Sequence, residues 1–200
     1  DLGLFPLDLV LLPGERAPLH LFEQRYRQLY ADCVLEDDPF VVVRADATGT
    51  ADVGCAAVFE TLGRRFEDGR LNVGVRGVEP VRVVEETEGR LYFSAVVETL
   101  VDDPVDAPPE LAEGVLRRYR ALAGVGDQAL PEAPEGTPLS YAMAGTLQLP
   151  PGAKQQLLES RDEGQRLALL NELLDDVDRE VRHARLAAQR AGTNGRVSTP

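Results

Sequence analysis

Lysine is almost missing from this chain: of 200 residues only Lys154 carries an ε-amino group. A phosphate-cradling P-loop needs Gly-Lys followed by Ser or Thr, so that the lysine reaches the phosphates and the hydroxyl holds magnesium. Lys154 stands between Ala153 and Gln155, which excludes nucleotide hydrolysis by that motif. It is also the only candidate base for a serine–lysine pair, and Gln155-Gln156-Leu157-Leu158 beside it read as an exposed helix face. Histidine is nearly as scarce. His183 falls among arginines in a helical pattern and reads as solvated, while His20 reads as a structural histidine. No serine sits in a Gly-x-Ser-x-Gly elbow.

Two cysteines, Cys33 and Cys55, are too few for a disulfide framework and read as reduced thiols in a cytoplasm. With the two histidines they form no close-spaced ligand pair, so neither a metal nor a cofactor is expected. The acidic pairs Asp37-Asp38, Asp102-Asp103 and Asp175-Asp176 fall at turns or on helices, where adjacent side chains do not face each other, and read as solvated charge. No set of residues supplies nucleophile, base and stabiliser together, so no catalytic residue is expected and the chain does not read as an enzyme.

Long apolar runs are absent as well. None approaches the roughly 18 residues that cross a bilayer. The opening Asp1-Leu2-Gly3-Leu4-Phe5-Pro6 lacks the basic and apolar regions of a signal peptide. It begins on Asp rather than Met, so a few residues are expected upstream. Positive charge is the last shortage. Twenty-one basic residues face 34 acidic ones, for a net charge of −13. Nucleic-acid binders draw affinity from a basic face and anionic membranes attract basic segments, so neither is expected as a partner.

What remains is ample for a core, with 44% hydrophobic and 28% charged residues. Residues 2–12 and 17–22 read as short extended pieces around the Pro13-Gly14 turn. From Glu23 the period changes: Tyr26, Leu29, Tyr30, Cys33 and Val34 mark one helix face, ended by Asp37-Asp38-Pro39. Residues 40–44 read as a buried strand and 53–62 as another. Asp68-Gly69 is a tight hairpin signal. Leu71, Val73 and Val75 then alternate with polar or small residues until Gly77, a bulge or corner. Segments 78–85 and 91–100 complete about six short strands, which argues for a small closed or nearly closed barrel with one helix inserted early. Past the linker 102–109 the chain turns helical over 110–123, 139–147 and 150–160, with a loop rich in Pro, Gly and Glu over 124–138. A last long helix carries a heptad seam of Leu167, Leu170, Leu174, Val177, Val181 and Ala184. The expected fold class is α+β: a barrel subdomain over 1–103, a helical bundle over 104–191 ending in the long helix, and a disordered tail over 192–200.

One stretch carries a family resemblance. Leu4-Phe5-Pro6-Leu7, then Val10-Leu11-Leu12-Pro13-Gly14, then Pro18-Leu19-His20-Leu21-Phe22-Glu23-Gln24-Arg25-Tyr26-Arg27 resemble the opening signature of the Lon protease N-terminal domain. Asp68-Gly69-Arg70, Gly77-Val78 and Val81-Arg82-Val83-Val84 resemble that family's hairpin and following strand. Tyr92 to Glu98 resembles its last barrel strand, and 147–158 followed by Arg166-Leu167 its helical segment. Pro80 stands where the family usually has arginine, and Phe59-Glu60-Thr61 departs from its middle strand.

The resemblance implies a PUA-like barrel followed by a helical bundle, without motor or protease. It implies a stand-alone, non-catalytic module for exposed apolar segments of unfolded or damaged proteins, with a protease or chaperone as a further partner. The apolar and glycine motifs read first as fold determinants. The residues expected to touch substrate are His20, Phe22, Arg25 and Tyr26. Two other readings stand beside this one: an adaptor pairing through the C-terminal helix, and an RNA binder of the kind other PUA-like barrels provide.

Overall fold

The computed structural model describes residues 1–47, 49–124, 126 and 133–193, with side chains described as far as Arg179. Among them lie seven strands and five helices: β1 (Leu2–Leu7), β2 (Arg16–Leu21), α1 (Gln24–Glu36), β3 (Phe40–Asp46), β4 (Gly49–Thr50), β5 (Val53–Arg65), β6 (Leu71–Thr87), β7 (Ser94–Thr99), α2 (Pro109–Ala123), α3 (Leu139–Ala144), α4 (Pro151–Glu159) and α5 (Glu163–Thr193). The chain is α+β, with a largely antiparallel sheet. Residues 125 and 127–132 of the loop expected over 124–138, and 194–200 of the tail expected over 192–200, fall outside the described residues, as do the side chains of Val181, His183 and Ala184; residues 192 and 193 belong to α5 rather than to a disordered tail.

β1 runs parallel to β3 and antiparallel to β7. β3 pairs β5, β5 pairs β6 and β6 pairs β7, so the pairings pass through five strands and return to the first. Each of these strands sends at least one side chain into a single apolar cluster: Leu4, Val41, Val43, Ala56, Val81 and Ala95. The expected buried strand at 40–44 has its reason here. Val41 and Val43 fill this cluster while Phe40 faces a second one, so both faces are covered. That second cluster is aromatic. Phe5 meets Tyr26 of α1 at 4.1 Å between ring centroids, and Phe40 stacks on Phe59 at 4.3 Å. Tyr26, Leu29 and Cys33 are the buried face of α1, but Val34 is exposed, so the apolar stripe is narrower than its spacing suggests. The helix stops at Asp37, which turns left-handed at φ 55° and donates its N–H to the Cys33 carbonyl.

The sequence reads 71–76 and 78–85 as two strands, whereas β6 is one strand of 17 residues bent by the expected bulge at Gly77. Its first half holds β2 and the end of β5; its second half holds β7 and the start of β5. The glycine is required by a neighbour. A Cβ there would stand 2.2 Å from the Leu12 carbonyl oxygen. That close approach lets Gly77 donate to the Glu15 carbonyl and accept from the Gly14 N–H, each at 2.9 Å.

By internal contacts the chain forms two compact units, Asp1–Asp106 with Leu130–Glu163 and Ala107–Ala129 with Gly164–Pro200. The helical stretch expected after residue 104 is thus shared between them. In the first unit Gln155 of α4 donates to the Val53 carbonyl of β5 at 3.0 Å, and Glu163 accepts the otherwise orphaned N–H of Ser140 at the start of α3 at 2.9 Å. In the second, Arg118 of α2 pairs with Asp175 of α5. Val115 and Tyr119 on one helix and Leu167, Leu170 and Leu174 on the other are buried.

Candidate functional site

β2 alternates: Leu19 and Leu21 are buried, which turns His20 outward. Phe22 follows the strand and is 61% exposed. Register places His20 across from Asn72 of β6, and its Nδ1 lies 2.6 Å from the Asn72 Oδ1. An amide oxygen only accepts, so with Asn72 in this orientation Nδ1 carries the proton. The imidazole lies between two phenyl rings, 6.2 Å from Phe22 in a stacked arrangement and 5.8 Å from Phe66 edge-on. Phe66 opens the β5–β6 turn and takes guanidinium groups over its ring, Arg64 at 4.7 Å and Arg70 at 5.2 Å. The result is a solvent-facing aromatic and arginine cluster at one end of β2.

The other two expected site residues sit apart from this cluster. Tyr26 is 6% exposed against Phe5, and burial raises its phenol above the ordinary value. Arg25 spreads over Tyr26 at 4.6 Å and over the exposed ring of Phe93 at 5.0 Å, while its Nε donates to Glu23 at 2.8 Å. The structure therefore joins His20 with Phe22, and Arg25 with Tyr26. Phe66, Phe93, Arg64 and Arg70 are the participants that the sequence reading leaves out. The one sequence signal for Phe66 is its place just before the Asp68-Gly69 turn.

A cleft of about 480 Å³ opens beside the same turn, between α1 and the β5–β6 hairpin. Tyr30, Leu62 and Leu71 supply its apolar part and Arg27 and Arg65 its charge. Arg27 reaches from α1 to the hairpin and donates to the Asp68 carbonyl at 3.2 Å. On the sheet face formed by β2, β6 and β5, Glu60 takes Arg16 at 2.7 Å and Arg76 at 2.6 Å. The hydrogen bond from Arg16, with that from Arg76, holds the Glu60 carboxyl below the ordinary carboxylate value.

Lys154 corrects an expectation. Its ammonium meets the Glu15 carboxylate at 2.5 Å, with both side chains only 12% exposed, and the second Glu15 oxygen accepts the Leu12 N–H at 3.0 Å. Gln155, Leu157 and Leu158 are buried, so this stretch of α4 is a packed face rather than an exposed one; Gln156 alone of the four is exposed. The lysine ties α4 to the turn between β1 and β2. Both cysteines are buried and free, and desolvation pushes their thiols up, Cys33 to about 11 and Cys55 to about 12. Among the described residues no group of three or more His, Cys, Asp or Glu side chains is placed to hold a metal. Among the same residues no helix is long and apolar enough to cross a membrane.

Comparison with known proteins gives a consistent picture. The family model described as the ATP-dependent protease La (LON) substrate-binding domain matches residues 1–176. A crystal structure of a Lon N-terminal domain protein from Xanthomonas campestris is similar at 30% identity, with 84% of this chain and 95% of that one covered and a TM-score of 0.65. The N-terminal domain of a Mycobacterium avium complex Lon protease shares the fold at 20% identity, over 88% of this chain and 98% of that one, with a TM-score of 0.66.

Proposed function

Since the chain belongs to the family of LON substrate-binding domains, we propose that it is a non-catalytic module that binds exposed apolar segments of unfolded or damaged proteins. The observation that carries this reading is the solvent-facing cluster of Phe22, His20 and Phe66, with two arginines laid over the last ring. Rigid rings with polar edges give contact area at low cost in conformational entropy, which suits a surface that meets many sequences. Arg25 and Phe93 offer a second ring-and-cation pair. Tyr26 enters as the buried support on which Arg25 rests. We read the closed circuit of β1, β7, β6, β5 and β3 as a small PUA-like barrel, with the outer edge of β2 open to an extended client strand. An unfolded client loses chain entropy on docking, so each engagement is weak and reversible.

The reading places the protein in the cytoplasm, with unfolded proteins as clients and a protease or chaperone to receive them. It includes no nucleic-acid partner. An adaptor role through α5 is the weaker alternative, because Leu167, Leu170 and Leu174 of its seam are already buried and only Val177 of the described seam positions is exposed. Binding to an array of short peptides tests the main reading. Apolar and aromatic peptides are expected to be retained, and Phe22→Ser is expected to weaken them without lowering the melting temperature. A preference for polar or scrambled charged peptides would overturn it.

A further inference from the structure

We infer that the cleft between α1 and the β5–β6 hairpin selects client segments in which an apolar side chain is flanked by carboxylates. This rests on the client-binding reading above and names the chemistry of the segment. The chain as a whole is acidic, with 34 Asp and Glu against 21 Lys and Arg. The cleft reverses that sign: its lining includes Arg27 and Arg65 and no acidic residue. Neither arginine meets a carboxylate among the described residues. Arg27 donates to a backbone carbonyl, and its Nε is buried without a partner. Arg65 makes no ion pair among them. Several arginines of the sheet and its turns are neutralised close by, Arg16 and Arg76 on Glu60, Arg70 on Asp68 and Arg44 on Asp46, while Arg64 beside the cleft lies over the Phe66 ring. A guanidinium left beside an open cleft is matched by an anionic group on whatever enters.

The apolar half of the match is equally local. Leu62 is 52% exposed at the cleft, against the buried Leu71 and the ring of Tyr30. A volume of about 480 Å³ takes one large side chain with part of its backbone, not a folded domain. The occupant is therefore a segment of peptide with one leucine-sized or aromatic residue seated between the helix and the hairpin, its acidic neighbours facing Arg27 and Arg65. Phe66 and Gly69 share the turn at the mouth of the cleft, joined by the Gly69 N–H to Phe66 carbonyl bond at 3.0 Å. A client on the aromatic cluster can thus continue into the cleft.

The test uses the whole chain and fluorescent leucine-centred peptides flanked by glutamate, serine or lysine, plus a serine-centred peptide with glutamate flanks. Polarisation is read at about 0.15 M salt, where charges more than about 8 Å away are largely screened and the net charge of the protein does not mask the local one. The acidic leucine peptide is expected to bind about fivefold tighter than the serine-flanked one, as two exposed ion pairs allow. Arg65→Gln is expected to cut that preference to about twofold, as loss of one of the two ion pairs would, while Leu62→Ser weakens all three leucine peptides. Both positions are exposed, so neither change threatens folding. Equal binding of the three leucine peptides, or a preference untouched by Arg65→Gln, overturns this inference and leaves the client-binding reading standing. Failure of every leucine peptide to bind overturns both, as does equal binding of the serine-centred peptide.

Discussion

At the scale of single residues, Gly77 is a position where chemistry leaves one choice. Its missing Cβ is the space that the Leu12 carbonyl occupies. Gly77→Ala is expected to destabilise the fold by about 2 kcal/mol, in the range of forced overpacking, read as a lower urea midpoint at unchanged slope. Cys55 makes a prediction of a different kind. Its folded thiol is raised from 9.0 to about 12, chiefly by burial. Folding therefore favours the neutral form. The corresponding stabilisation is whole below pH 9.0 and drains away as pH rises towards 12. Denaturant midpoints across that window are expected to fall, and to fall less steeply in Cys55→Ala. Of the four expected site residues, the outward placement of His20 and Phe22 follows from the leucine alternation of β2, a signal that reading 17–22 simply as extended left unused. The burial of Tyr26 is legible from helix period, but its separation from His20 is not. Phe66 and Phe93 stay hidden because nothing local tells which turn lies beside which strand end.

At the scale of elements, local patterns reveal more than pairings do. The 3.6-residue rhythm of α1, the alternation at the start of β6 and the Asp-Gly turn all correspond to observed elements. The parallel pairing of β1 with β3, and its return to β7, is invisible because partners so distant in sequence leave no local trace. The same reason misplaced Lys154: a lysine among glutamines reads as solvated until Glu15, 139 residues away, is found beside it. That pair links α4 to the β1–β2 turn. Lys154→Met alone strands a carboxylate in a site 12% exposed and is expected to destabilise by about 3 kcal/mol. Adding Glu15→Gln is expected to restore most of it, since breaking a nearly buried pair is worse than deleting both charges. Urea titration of the two single variants and the double variant measures this coupling directly.

At the scale of the whole molecule, a charge of −13 sets the company it keeps. Phosphate backbones are expected to be repelled, so a filter assay with RNA at about 0.05 M salt is expected to show no retention; retention that fell steeply with added salt would reverse that expectation. Under the client-binding reading proposed above, the same charge makes copies of the protein repel one another and is expected to keep an exposed apolar surface from self-association. The buried ion pair also has a consequence for handling. Reagents that acylate primary amines find a single side-chain target in 200 residues, and it is shielded by the carboxylate that holds it. Within these residues, dyes, biotin esters and surface-coupling chemistries therefore meet no freely reachable lysine, so the aromatic cluster and the cleft beside it are expected to stay unmarked.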